Sequence, residues 1–305
     1  MRWVFTTSTA VTAIVLSASC AGSDCGNGKA PRSLEVLAET ETFTLASTVT
    51  GRTYQIFVAL PRGYDEGDSL YPVLYSVDAN GQFGTIVDAV RAMPFEGLPE
   101  PLVIGIGYPV GHFWNALSPR AVDLTPTPDP VEVTREAEEY PQFPPMEGSG
   151  GGPGFLRFIR EELIPYVEAN YEASSEGRAL YGHSFGGLFA TYALFAGQGT
   201  FSRFVIGSPS YWWDDRASFE LEAEFSRVND SLPARVFFSV GLLEEVPGDE
   251  DAQYRMVSNL REFLDVLQGR GYEGLAFASE FFPDENHTSV IPATISRGVR
   301  FVFSN

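Results

Sequence analysis

Residues 178–197 read Arg178-Ala-Leu-Tyr-Gly-His-Ser-Phe-Gly-Gly-Leu-Phe-Ala-Thr-Tyr-Ala-Leu-Phe-Ala-Gly197. Inside this stretch, Gly182-His-Ser-Phe-Gly186 is a G-x-S-x-G sequence with an apolar run before it and a helix-forming run after it. That context predicts a nucleophile elbow, a sharp turn from strand to helix that lifts a serine hydroxyl clear of its neighbours. Arg178–Tyr181 has the length and apolarity of a buried strand. Leu188–Ala196 is dense in alanine and leucine and stops at a glycine, as a helix does. Ser184 is therefore the candidate nucleophile.

Working outward, Thr42–Thr48 and Thr53–Leu60 read as two β segments joined at Val49–Arg52, with Gly51 as the turn residue. Pro72–Val77 reads as a buried strand entering a loop at Asp78-Ala-Asn-Gly81, and Pro101–Gly107 as a continuous apolar strand typical of a parallel sheet. A helix is expected over Ile86–Met93. Phe155–Ala169 carries Phe155, Phe158, Ile159, Leu163 and Val167 on one helical face. Phe201–Ile206, Arg235–Val240 and Leu275–Phe282 read as further strands, with helices at Gln253–Gln268 and Ile291–Phe303. Alternating strands and helices predict an α/β fold with a mostly parallel central sheet covered by helices on both faces. Residues 109–153, rich in proline and glycine, read as an excursion over the active site within one domain spanning 40–305.

Bulk properties narrow the function. With 305 residues and 44% apolar content, the chain can build one large core. Its formal net charge of −20, with Lys29 as the sole lysine, opposes nucleic-acid binding. Residues 1–19 read as an export signal: Arg2 precedes the short apolar stretch Val11–Leu16 and the small residues Ser17-Ala-Ser19. Cys20 then follows, as in a bacterial lipoprotein signal, although leucine stands one place early and Ser17 takes its position. Cleavage by the ordinary signal peptidase is the competing reading. Either way an exported protein is expected, attached to a membrane only through a lipid on Cys20. Residues 20–39 read as a flexible tether. Cys20 and Cys25 are the only cysteines, so a cysteine metal site and a disulfide scaffold are excluded. Neither a metal nor an organic cofactor is expected.

A serine needs a base, and the chain has three histidines. His183 adjoins the nucleophile on the opposite side of the elbow strand and reads as structural. His112 lies in the excursion, as a substrate contact or a surface residue. His287, in Pro283-Asp-Glu-Asn-His287, follows the last strand and fits the chain order Ser, acid, His. The acid is expected after Arg235–Val240, where Glu244 is nearest the strand end. Glu245 is the alternative, and Asp249, Glu250 and Asp251 lie beyond. Oxyanion donors are expected from the Phe185 N–H and from the loop Asp78–Gly81.

These landmarks, with Gly51-Arg-Thr-Tyr-Gln-Ile-Phe-Val-Ala-Leu-Pro61, Tyr71-Pro-Val-Leu-Tyr75, Arg120-Ala-Val-Asp-Leu-Thr-Pro126 and Ser208-Pro-Ser-Tyr-Trp-Trp213, make the chain resemble a known family from about residue 40 to 303. It is the esterase family of the α/β-hydrolase superfamily that includes esterase D-like enzymes, ferric-siderophore esterases and antigen 85 mycolyltransferases. The resemblance implies Ser184 as nucleophile, Glu244 as acid and His287 as base, with Asn80 as the second oxyanion donor. Ala79 departs from the glycine usual before that donor. Arg120 matches an arginine near the active site, with an ion pair to Asp123 as the plainer reading. Trp212 and Trp213 would line an acyl or aromatic pocket, or else pack under the excursion. The implied function is hydrolysis of a carboxylic ester, on a small molecule or a glycan. Acyl transfer and siderophore-ester hydrolysis are the enzymatic alternatives, and an envelope binding protein on the same fold is the non-enzymatic one.

Overall fold

The computed structural model describes residues 37–64, 70–111, 113–246, 248 and 254–304. The export signal, Cys20, His112, Asp249, Glu250 and Asp251 fall outside them. Eight strands form one sheet: β1 (Thr40–Ala46), β2 (Thr53–Ala59), β3 (Val73–Ser76), β4 (Leu102–Gly107), β5 (Ala179–His183), β6 (Arg203–Gly207), β7 (Ser231–Gly241) and β8 (Glu273–Phe282). Their order is β1-β2-β4-β3-β5-β6-β7-β8. The pairs β1/β2 and β2/β4 are antiparallel and all others parallel, so β2 alone runs against the rest.

Side chains of the inner strands alternate between two apolar cores. Leu180 enters one core while Ala179 and Tyr181 enter the other; Tyr75 and Leu74 divide in the same way. Helices α1 (Ala79–Ala92) and α9 (Ile291–Phe303) cover one face through Phe83, Ile86, Val87, Ile295 and Val299. The other face is covered by α4 (Gly152–Phe158), α5 (Ile164–Asn170), α6 (Phe185–Ala196), α7 (Trp213–Ser226) and α8 (Met256–Arg270). A π-helical turn, Ile159–Leu163, joins α4 to α5 and leaves the expected apolar face intact, with Phe155, Phe158, Ile159, Leu163 and Val167 all buried.

Two expectations need correction, and two further features were not expected. Leu37 packs against the core, so the expected tether does not extend over residues 37–39. The Asp78–Gly81 segment is no loop, because α1 begins at Ala79, seven residues ahead of the expected start. The excursion is largely helical, holding α2 (Phe113–Leu124) and α3 (Pro130–Glu139). Pro130 occupies the first turn of α3, where proline's missing N–H costs nothing. Finally, α7 has no counterpart in the sequence reading.

Among the described residues no helix is long and apolar enough to cross a membrane. The parallel topology has one consequence for function. Strands β3 to β8 end on the same edge of the sheet, so Asp78, Tyr108, Ser184, Ser208, Glu244 and His287 all emerge there. Open α/β sheets place their ligand sites at this edge.

Candidate active site

Ser184 follows the last residue of β5 with φ 62° and ψ −122°, a left-handed backbone that L residues rarely adopt. This is the strained elbow that the motif predicts. Gly182 permits it: a Cβ there would stand 2.0 Å from the Gly186 carbonyl oxygen, so only glycine lets strand and helix approach this closely. The Ser184 N–H is bound to the Gly207 carbonyl at 3.0 Å, which ties the elbow to β6.

Glu244 closes a 3-10 turn, Leu242–Glu244, directly after β7. Its carboxylate is 1% exposed, yet three donors satisfy it. Ser208 Oγ and the Gly241 N–H donate to Oε1 at 2.6 and 2.7 Å, and His287 Nδ1 meets Oε2 at 2.6 Å. A buried carboxylate needs such partners to remain charged. Glu245, the alternative acid, spends both oxygens elsewhere, accepting from the Ser258 N–H at 2.8 Å and from the Ser258 hydroxyl in the first turn of α8. It caps a helix and does not reach the imidazole. Nothing in the sequence alone marks Ser208 as a functional residue. It occurs in the Ser208–Trp213 landmark, and its left-handed φ of 38° is the structural signal that it turns its hydroxyl to a task.

The histidine loop is pinned to the acid loop. The Leu243 N–H donates to the Glu285 carbonyl at 3.0 Å, and a Cβ on Gly241 would lie 2.3 Å from that same oxygen. His183 Nε2 donates to the His287 carbonyl at 2.8 Å, and the two rings lie 4.7 Å apart. His183 is thus structural, as expected, and holds the base from beneath. Burial, then the neighbouring His287, pushes its pKa well below the usual imidazole range, so it stays neutral. The His287 side chain, by contrast, is 43% exposed. Ser184 Oγ makes no hydrogen bond among the described residues; in hydrolases that contact is often long until substrate binds.

Two helix N-termini lie at this edge of the sheet. Phe185 opens α6, and Asn80 is the second residue of α1, so both N–H groups belong to the unpaired first turn of a helix. The Asn80 side chain locks its segment to the end of β4, with Nδ2 donating to the Tyr108 carbonyl at 2.9 Å and Oδ1 accepting from the Tyr108 N–H at 2.8 Å. The substitution of alanine for glycine at position 79 leaves this arrangement intact: Ala79 is buried in the core under α1.

Of the three peripheral residues, Arg120 has another ion-pair partner than expected, and Trp213 follows the packing alternative. Arg120 pairs with Asp78, not Asp123; Asp123 instead faces Arg52 at 3.7 Å and accepts from the Tyr108 hydroxyl at 3.1 Å. Trp213 is fully buried and donates from Nε1 to the Thr127 carbonyl, so it packs under the excursion and lines no cleft. Trp212 is half-buried between Phe185 and Tyr254, with ring centroids 5.9 and 4.7 Å away. No group of three or more metal-ligating side chains occurs among the described residues.

The sheet order, the elbow and the acid–imidazole couple at the strand ends define an α/β-hydrolase. Residues 47–268 match the family described as "Putative esterase", and the chain belongs to that family. It is 29% identical over 268 residues to the ferri-bacillibactin esterase BesA of Bacillus subtilis, covering 86% of this chain and 89% of that protein. To the siderophore enterobactin esterase of Emericella nidulans it is 33% identical over 275 residues, covering 82% and 89%. Among solved structures, the BES protein of Bacillus cereus superposes with a TM-score of 0.75 at 30% identity, covering 92% of this chain and all of the other. The chain is an ester hydrolase.

Proposed function

We propose that the protein hydrolyses a small siderophore-type carboxylic ester through an acyl-enzyme on Ser184. The observation that carries this reading is the buried Glu244 held 2.6 Å from His287 Nδ1, beside the strained Ser184 elbow. Glu244 fixes the tautomer with Nδ1–H, which leaves the Nε2 lone pair to take the Ser184 proton. Oγ attacks the ester carbonyl carbon, and the oxygen that gains the electron pair is held by the N–H groups of Phe185 and Asn80. Collapse expels the alcohol oxygen, which takes its proton from His287 Nε2. A water deprotonated by the same nitrogen then attacks the acyl-enzyme, releasing the acid and restoring Ser184. The open side of His287 favours water over a sugar alcohol as the acceptor.

The siderophore assignment rests on the relatives named above. We propose also that the protein is exported and held at the membrane by a lipid on Cys20, a reading supported by residues 1–20. The decisive experiment on the chemistry compares wild type with Ser184→Ala on neutral aryl esters and on a siderophore trilactone, together with fluorophosphonate labelling. Turnover falls by about 10⁶-fold in the variant, leaving only the residual effect of the oxyanion donors and binding, and the label on residue 184 disappears. Equal turnover in the two proteins would refute the acyl-enzyme.

A further inference from the structure

Arg120 reaches from α2 to the sheet edge, where its side chain is 10% exposed. Its Nε and Nη2 donate to Asp78 Oδ1 and Oδ2, each at 2.7 Å, in the forked geometry that arginine alone provides. Asp78 sits at the left-handed turn (φ 57°) from which α1 starts, and its carboxylate does not cap that helix. Across the site, the same guanidinium lies over the Phe185 ring, 5.4 Å from its centroid. A Cβ on Gly186 would come within 3.3 Å of Asp78 Oδ2, so the carboxylate also abuts the first turn of α6. One buried ion pair therefore touches both segments that carry the proposed oxyanion donors, Asp78–Asn80 on one side and Phe185–Gly186 on the other.

This contact pattern differs from that of a substrate-anion receptor. Such a residue keeps its charge for the ligand, whereas the Arg120 charge is neutralised by Asp78. We infer that Arg120 is a positioning residue: with Asp78 it sets the separation and direction of the Phe185 and Asn80 N–H groups, and it acts on the acylation step without holding the substrate. The inference rests on the oxyanion roles proposed above. A displacement of about 1 Å in such donors is enough to cost a large part of their effect.

The test uses Arg120→Lys, which keeps the charge and loses the fork, and the pair Asp78→Asn with Arg120→Gln, which removes both charges and leaves neither buried alone. Each is assayed on a neutral aryl ester and on an ester bearing a carboxylate, with the rate of fluorophosphonate labelling and a thermal melt alongside. In both variants kcat falls about tenfold to a hundredfold on both esters, KM stays within about twofold, and labelling slows in parallel, because the phosphonyl oxygen uses the same donors. Unchanged kcat with a raised KM for the anionic ester alone would overturn the inference and make Arg120 a substrate ligand. Loss that merely follows the folded fraction in the melt would overturn it as well. Ser184→Ala separates the two levels: if that variant stays active, the acyl-enzyme reading has failed. If it is dead while Arg120→Lys keeps its kcat, only the role of Arg120 has.

Discussion

Glu244 and Glu245 are adjacent and chemically identical, yet their surroundings give them different work. The first is buried with its oxygens shared among Ser208, Gly241 and His287; the second reaches over the start of α8. Changing Glu244 to Gln keeps the volume and the contacts of Oε1 but puts an amide N–H against His287 Nδ1. The ring must then carry its proton on Nε2, where it cannot take one from Ser184, and kcat/KM should fall by about 10³- to 10⁴-fold. Glu245→Ala loses only a helix cap. Its kcat/KM should stay within a few-fold of wild type while stability drops by about 0.5–2 kcal/mol. Steady-state kinetics and thermal melts on the two variants measure both, and the reverse pattern would exchange their roles.

At the scale of elements, the parts legible in sequence are those that local chemistry determines. The elbow was readable because glycine spacing and both flanks agree, and His287 because histidines are scarce and chain order selects among them. The start of α1 was not, since Asp78-Ala-Asn-Gly81 has the composition of a turn; Phe83, Ile86, Val87 and Val90 bury the helix and override that preference. Helices α2 and α3 were hidden by Pro119 and Pro130, which are tolerated because tertiary contacts and a first-turn position absorb them. The Asp78 partner of Arg120 was also invisible, because it is made by elements 42 residues apart in the chain. Near the end of α2, Asp123 illustrates how the excursion is fastened. Its carboxylate is raised to about 6, chiefly by burial, against the opposing pull of Arg52. Below its unfolded value of 3.8 it is protonated in both states and costs nothing. As pH rises towards 6 the unfolded chain releases its proton first, so stability declines, by about 3 kcal/mol in all. Asp123→Asn removes this term. Its melting temperature relative to wild type should therefore climb between pH 4 and pH 7, and a difference that stays flat across that range would mean the carboxylate is not held protonated.

At the scale of the whole molecule, 40 acidic side chains against 20 basic ones shape how the protein can meet a membrane. Peripheral binding to anionic lipid draws on basic residues near the surface, each contributing about 1 kcal/mol, and this surface repels such lipid instead. No helix among the described residues could span a bilayer. The lipid attachment proposed above would need more than one acyl chain to be stable, since a single chain gives only marginal binding. The two fatty chains of a diacylglyceryl group on Cys20 would satisfy that requirement and leave the domain from residue 37 onward free to work in solution. Expressed with its signal in a bacterium that processes lipoproteins, the wild type should stay with membranes through a high-salt wash and come off in detergent. Cys20→Ser should appear in the soluble fraction with the same kcat on a neutral ester, because the Ser184, Glu244 and His287 site lies wholly in the folded domain. A soluble wild type whose mature chain begins at another residue would show that the ordinary signal peptidase cuts here and that the charge keeps the enzyme off the membrane altogether.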